Sequence, residues 1–305
     1  MFVDRPRASV TVAVSTLDRP TGLRRCVTAV LEGDVLPSEI VIVDQSPDEA
    51  TAEIVRSTHW RDIVPVHYIR QGRRGLSASR NAAIARASQA VVAFTDDDCV
   101  PDAGWLAALA RAFDAPAKPN AVTGRILPLG RERPGFHAVA SRPSPVRGVY
   151  RGRALPWAVG SGGNTAVARE WLVRLGGFDE DLGAGSPGMA AEDTDLLYRL
   201  LRAGAIVQYE PAAVVLHERQ DGARRLASRP SYGFGMGAFC TKWARRGDAY
   251  AIWMLGWWVF ERTRALLASF LRLRSQRIRE ELMMLHGAVR GVAHGLLTAR
   301  GVPEC

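Results

Sequence analysis

Over the first 115 residues, short runs that are apolar on both sides alternate with stretches of helical periodicity. Val10–Val14, Ile40–Val43, Val66–Ile69 and Ala90–Phe94 are rich in β-branched residues and lack the strict in–out alternation of a half-solvated strand. That pattern fits strands of a parallel sheet covered on both faces. Thr21–Leu31, Ala50–Trp60, Ser79–Ala87 and Trp105–Phe113 have helical spacing, and each follows a strand. The βαβα order predicts an α/β fold, a doubly wound sheet flanked by helices. From Pro116 to Leu155 the chain is rich in Pro, Gly and Arg, which predicts irregular connection with one strand near Ala121–Ile126.

The tail is patterned differently. Tyr232–Gly237 is glycine-rich, and Ala249–Phe260 is an apolar run of 12 ended by Glu261, Arg262 and Arg264. Spanning a bilayer takes roughly 20 apolar residues, so this run is too short alone. Apolar residues at 278, 282, 285, 289, 292 and 296 alternate spacings of four and three, which predicts an amphipathic helix with those positions as its apolar face. Two domains follow: a sheet-based one over 1–220 and a helical C-terminal extension over 221–305.

Charge sharpens that division. The net charge is +9, from 40 basic and 31 acidic residues, and residues 221–305 alone hold 14 basic and 6 acidic. Only Lys118 and Lys242 are lysine, so a lone arginine says little about recognition. Four of the eight tryptophans, Trp243, Trp253, Trp257 and Trp258, also lie in the extension. Tryptophan with arginine suits an anionic membrane surface, each basic residue near acidic lipid adding about 1 kcal/mol. Packing on the sheet domain and homodimer formation are the alternative uses of the apolar run; nucleic acid is not expected as a partner. Cys26, Cys99, Cys240 and Cys305 show no metal-ligand spacing, which predicts a reducing compartment and no zinc site. No apolar segment precedes Val10, so the expected location is cytoplasmic, either free or peripheral on the inner face of the membrane.

In open α/β sheets, ligands bind beyond the carboxyl ends of the strands. There the sequence places Ser15–Asp18, Asp44–Ser46, Gly75–Asn81 and Asp96–Asp98. Three adjacent carboxylates repel one another unless solvated or bridged by a cation, and hard oxygen ligands favour Mg²⁺ or Mn²⁺. Glu192-Asp193-Thr194-Asp195 precedes a leucine face at 196, 197, 200 and 201. In that first helical turn the carboxylates either complement the helix dipole or supply a general base. His217 ends the apolar run Val214–Leu216 and is either structural or a metal ligand. Gly160–Asn164 would let backbone approach a sugar or metal closely. It lacks the strand-to-helix context of a dinucleotide fingerprint, and no GxxxxGK[ST] sequence occurs, which excludes a Rossmann NAD site and a P-loop.

Taken in order, Val10–Pro20, Ile42–Ser46, Gly75–Asn81, Phe94–Asp98, Gly163-Asn164, Gly176–Glu180 and Glu192–Arg199 resemble family 2 glycosyltransferases of the GT-A fold, over residues 8–220. The resemblance implies a mixed, mainly parallel GT-A sheet and an inverting, metal-dependent hexosyltransferase. Such an enzyme moves sugar from a nucleotide-diphosphate donor to an acceptor hydroxyl in cell-envelope polysaccharide, glycolipid or natural-product glycosylation. The acceptor becomes lipid-linked if the tail meets a membrane. By position, Ser15, Leu17, Asp44 and Arg80 would contact the nucleotide, Asp96 and Asp97 the donor, and Asp98, Asp96 and His217 the metal. Gly163 and Asn164 would help form the donor-sugar or acceptor pocket. Asp193 would be the catalytic base, ahead of Glu192. Leu17 and Gln45 depart from the family's usual aromatic and acidic residues, which leaves the nucleotide base open. The competing classes are a sugar-nucleotidyltransferase, whose GxGTRLxP-type opening is absent after strand one, and a non-catalytic basic membrane- or nucleic-acid-binding protein.

Overall fold

The computed structural model describes residues 5–72 and 74–298, so Cys305 lies outside the described residues. These fall into two compact units, Met1–Asp179 with Asp193–Arg219, and Glu180–Glu192 with the chain from Gln220 onward.

The first unit is built on strands β1 (Arg7–Thr16), β2 (Leu36–Asp44), β3 (Val66–Arg70), β4 (Val91–Asp96), β5 (Cys99–Pro101), β6 (Ala121–Pro128), β7 (Phe136–His137), β8 (Gly148–Tyr150), β9 (Asn164–Ala168) and β10 (Val207–His217). The sheet runs β3-β2-β1-β4-β9-β6-β10-β5, with β8 also paired to β10. β1 to β4 are parallel neighbours, while β9 enters antiparallel between β4 and β6. The helices are α1 (Pro20–Glu32), α2 (Ala50–Ser57), α3 (Leu76–Arg86), α4 (Trp105–Phe113), α5 (Pro156–Val159), α6 (Arg169–Arg174) and α7 (Glu192–Arg202).

Successive strand residues point to opposite faces, so a sheet with two apolar faces needs two covering layers. Val12, Val14, Ile40 and Ile42 join one core with Leu23 and Val27 of α1 and Trp105 and Leu109 of α4. Ala13, Val41, Val43 and Phe94 join the other with Ile84 of α3 and Leu196, Leu197, Leu200 and Leu201 of α7. Ala50–Trp60, expected as one helix, is α2 followed by a separate 3₁₀ turn at Trp60–Asp62.

The second unit holds α8 (Gly222–Arg245), α9 (Ala249–Leu271) and α10 (Ser275–Thr298). Asp221 and Asp248 cap α8 and α9, accepting from the Arg224 and Tyr250 backbone N–H groups. The Tyr232–Gly237 stretch is mid-helix in α8, where a Cβ on Gly233 or Gly237 would strike the Met284 or Ala288 carbonyl oxygen of α10. Gly287 and Gly291 meet the Pro230 and Phe234 carbonyls in return. This seam corrects the apolar face expected for α10. Met284, Gly287, Ala288, Gly291 and Gly295 are buried, whereas Leu282, Val289 and Leu296 are exposed. Glycine lets two backbones approach closely, and a hydropathy pattern does not register that. No helix among the described residues is long and apolar enough to cross a membrane.

Candidate active site

Strand register gathers the rim. Thr16 pairs with Asp44, Ser15 with Asp96, Thr95 with Asn164, and His217 with Cys99 and Pro128. The carboxyl ends of the parallel strands and the start of β9 therefore meet at one edge. Leu17 stands there 39% exposed. Asp44 is buried, and its carboxylate accepts from the Ser46 N–H at 2.8 Å and the Tyr68 hydroxyl at 2.6 Å. Burial and that carboxylate push the Tyr68 phenol up. Ser15 Oγ accepts from the Ser79 hydroxyl at 2.7 Å.

At the same edge Asp96, Asp98, Cys99 and His217 each offer a ligand atom, all within 4.8 Å of one another. His217 is buried, and its Nδ1 lies 2.9 Å from the Glu218 carbonyl oxygen. A carbonyl can only accept, so it fixes the tautomer with hydrogen on Nδ1, the way metal-bound histidines are commonly oriented. That leaves Nε2 as the ring nitrogen facing Asp98 Oδ1, 3.5 Å away. An unprotonated imidazole nitrogen beside the Asp96 and Asp98 carboxylates is a donor set that fits a divalent metal. Cys99 joins this candidate set although the cysteines show no metal-ligand spacing along the sequence. Its partners come from strand pairing across the sheet, which linear spacing does not reveal. Burial, then Asp96 and Asp98, push the Cys99 thiol up.

Asp97 does a different job from its neighbours. It is buried, accepting from Thr16 Oγ1 at 2.8 Å and from Arg19 at 3.2 Å. Burial raises its pKa to about 6, against the pull of Arg19 and Thr16 and with a further push from Asp98 and Asp96. Arg19 also pairs with Asp98 at 2.5 Å. Burial lowers the pKa of its guanidinium, but Asp98 and Asp97 more than compensate and hold it above its ordinary value. Thr16 was expected on the rim but given no role, and Arg19 was not singled out. Their only signal was their place just after strand one.

The Gly160–Asn164 segment links this cluster to the second acidic one. The Gly162 N–H donates to Asp193 Oδ2 at 2.7 Å, and a Cβ on Gly162 would lie 2.8 Å from Arg80 Nη1 and 3.1 Å from Asp193 Cβ. A Cβ on the next residue, Gly163, would lie 2.7 Å from Asp96 Oδ2 and 3.7 Å from Cys99 Sγ. Two adjacent glycines thus touch Asp193 on one side and the metal-type cluster on the other. Arg80 is buried and pairs with Asp96 at 2.9 Å. Asn164 is fully buried, its Oδ1 accepting from Trp105 Nε1 at 2.9 Å and its Nδ2 donating to the Arg125 and Ala213 carbonyls. These bonds pin the start of β9 and so hold Gly162 and Gly163. Its side chain is thereby engaged in the scaffold beside the expected pocket. Glu192 opens α7 and is grouped with the second unit.

Residues 11–176 match the family model described as Glycosyl transferase family 2. The chain is 33% identical over 233 residues to the pre-mycofactocin glycosyltransferase of Mycobacterium tuberculosis, across 75% of this chain and 47% of that protein. It therefore spans about half the length of that relative. It is 24% identical over 231 residues to the glucosyl-dolichyl phosphate glucuronosyltransferase of Haloferax volcanii, across 70% and 69% of the two chains. The mannosyltransferase PcManGT from Pyrobaculum calidifontis, solved with GDP-Man and Mn²⁺, superposes with a TM-score of 0.63 at 20% identity. That likeness covers 95% of this chain and 90% of the other, and shows a shared fold.

Proposed function

The chain belongs to glycosyl transferase family 2, and we propose that it transfers a sugar, with inversion, from a nucleotide-diphosphate donor to an acceptor hydroxyl. The observation that carries this reading is the Gly162–Gly163 link between Asp193 and the Asp96, Asp98 and His217 cluster. A divalent cation, Mg²⁺ or Mn²⁺, held there would supply Lewis-acid stabilisation of charge on the leaving diphosphate. Ser15, Leu17 and Asp44 border the nucleotide, Asp44 presenting a carboxylate already oriented by Tyr68 and Ser46. Gly163, without a side chain, leaves the donor sugar room beside Asp96. Asp193 takes the proton of the acceptor hydroxyl as it attacks the anomeric carbon opposite the diphosphate, and one such displacement inverts the centre. The relative named for glucuronosyl transfer supports a hexose-derived sugar on the donor. A screen of UDP-, GDP- and dTDP-sugars for Mn²⁺-dependent binding and hydrolysis tests the reading. Binding of none of them would sink it.

The extension favours a second element of function, attachment to an anionic membrane surface, which would bring a lipid-linked acceptor within reach. Tyr250, Trp253, Trp257 and Phe260 form a ladder along α9, with successive ring centroids 5.3, 5.9 and 5.6 Å apart. Trp253, Trp257, Phe260, Leu267 and Phe270 are exposed, and Arg262, Arg264, Arg272 and Arg274 share or follow this helix. Exposed aromatics beside arginines match an interfacial helix on acidic lipid. Flotation with phosphatidylglycerol vesicles should retain the chain, and Trp253→Ala with Trp257→Ala should release it. Equal retention by pure phosphatidylcholine would remove the electrostatic part of this proposal, and self-association in place of flotation would point to a dimer face.

A further inference from the structure

Asp96 and Asp98 alone would make a hard, all-oxygen site, but the cluster also contains a nitrogen and a sulfur. His217 Nε2 and Cys99 Sγ lie with the two carboxylates inside a 4.8 Å set. β5 and β10 hold the pair together, since Cys99 and His217 are direct antiparallel partners. Cys99 is fully buried and His217 is 7% exposed. His217 is already oriented by the Glu218 carbonyl, its Nε2 turned toward Asp98. Zn–N, Zn–O and Zn–S bonds of about 2.0–2.3 Å imply ligand–ligand separations of roughly 3.3–3.8 Å in a tetrahedron. The four atoms need to close by only about an ångström to reach that shell.

We propose that Cys99 is a fourth ligand that makes this cluster a closed tetrahedral site for a thiophilic divalent cation, Zn²⁺ or Co²⁺. Softness of the ligand decides between cations: thiolate selects zinc-like ions, whereas Mg²⁺ and Mn²⁺ prefer oxygen and water. With Mg²⁺ or Mn²⁺, Cys99 stays out of the shell and open positions remain for the donor's diphosphate. With Zn²⁺ or Co²⁺, Asp96, Asp98, Cys99 and His217 fill all four positions. The thiol proton leaves to solvent as the metal–sulfur bond forms, and the diphosphate loses its place. A thiophilic ion would therefore act as a competitive brake on the site. The inference rests on the metal-dependent reading of this site, and deepens it by naming a second class of cation and its ligand.

Titration of the full chain with Co²⁺, read by absorption, tests it. Expected are a sulfur-to-cobalt charge-transfer band in the near ultraviolet and intense visible bands of a tetrahedral ion. Cys99→Ser and Cys99→Ala should both lose the charge-transfer band, while Cys26→Ser, Cys240→Ser and Cys305→Ser keep it. Zn²⁺ affinity should fall about tenfold or more in the Cys99 variants, since even an outer-shell partner is worth that much. Circular dichroism checks that the variants are folded. Visible cobalt bands without the charge-transfer band, or a band that survives both Cys99 variants, would overturn the proposal. Mn²⁺ binding, followed by its paramagnetic resonance signal, keeps the two questions apart. Mn²⁺ that binds where cobalt shows no thiolate band removes Cys99 alone, whereas failure of both metals to bind removes the metal-dependent reading with it.

Discussion

Arg80 is more deeply buried than the carboxylate it neutralises. Its side chain is 3% exposed against 31% for Asp96, across an ion pair of 2.9 Å. The guanidinium also lies 5.1 Å from the centre of the Phe178 ring and beneath Gly162. The family resemblance assigns Arg80 to the nucleotide, and its pairing with Asp96 also places it to aim that carboxylate. Arg80→Lys keeps the charge and loses the planar fork. It should weaken Mn²⁺ binding while the fold persists. Arg80→Ala leaves the pair broken at a part-buried site and should cost about 2–3 kcal/mol of stability. Metal titration and urea unfolding of the two variants separate these effects, and unaltered Mn²⁺ affinity in Arg80→Lys would reject the aiming role.

Asp193→Asn should abolish turnover by about 10²–10⁴-fold, the range for a positioned general base. Asparagine retains a side-chain oxygen that can accept from the Gly162 N–H, so the loop and donor binding should persist. Comparing donor-nucleotide affinity with single-turnover transfer distinguishes the roles. A parallel loss of affinity and rate would mean that Asp193 shapes the site and does not take the proton.

The parallel half of the sheet was legible because burial on both faces leaves an unbroken apolar signal, as in Ile40–Val43, and α4 matches its expected span. The rim carboxylates were legible too, since strand ends are where a sheet exposes polar residues. Cys99 was not, because its partner His217 is more than a hundred positions away and only the β5–β10 register joins them. The side-chain partners of Asn164 were hidden for a related reason: Trp105 and two distant carbonyls engage it, and none is near it in sequence. In α10 the period was right and the face wrong. Close packing there uses glycine, which scores as neither apolar nor polar.

Gly163→Ala should act on chemistry and leave the fold nearly intact. Its Cβ would sit 2.7 Å from Asp96 Oδ2, the mobile end of a side chain that can swing aside. Mn²⁺ affinity should drop about tenfold, the scale for disturbing a ligand's setting. Calorimetric metal titration beside a thermal melt checks this, and a large fall in melting temperature with normal metal affinity would contradict it.

The same substitution in the extension should change sign with position. Alanine gains about 1 kcal/mol over glycine in a helix interior. At Gly256 of α9 nothing lies within 4 Å of the added Cβ, so Gly256→Ala should stabilise. At Gly237 the Cβ meets the Ala288 backbone carbonyl, which cannot move without shifting α10. Overpacking costs about 1–3 kcal/mol and exceeds the propensity gain. Gly237→Ala should therefore melt lower and Gly256→Ala higher, and two shifts in the same direction would refute the glycine seam.

The Arg225–Glu280 fork between α8 and α10 gives the extension a pH dependence. Arg225 donates from Nε at 2.8 Å and from Nη2 at 3.0 Å to the two carboxylate oxygens. Burial opposes ionisation of Glu280, but Arg225, Arg229 and Gln276 outweigh it and hold the carboxyl below its ordinary value. The unfolded chain therefore takes up this proton at a higher pH than the folded one. The pair's stabilisation is complete above the unfolded pKa and disappears as pH falls through the folded one. Glu280→Gln should lose about 2 kcal/mol at neutral pH, the scale of hydrogen bonds to a charged group. At acid pH, once the folded carboxyl itself has been protonated, that deficit should shrink. Urea unfolding followed by tryptophan fluorescence at both pH values measures the gap. A deficit that stays constant on acidification would mean that Glu280 contributes packing and not charge.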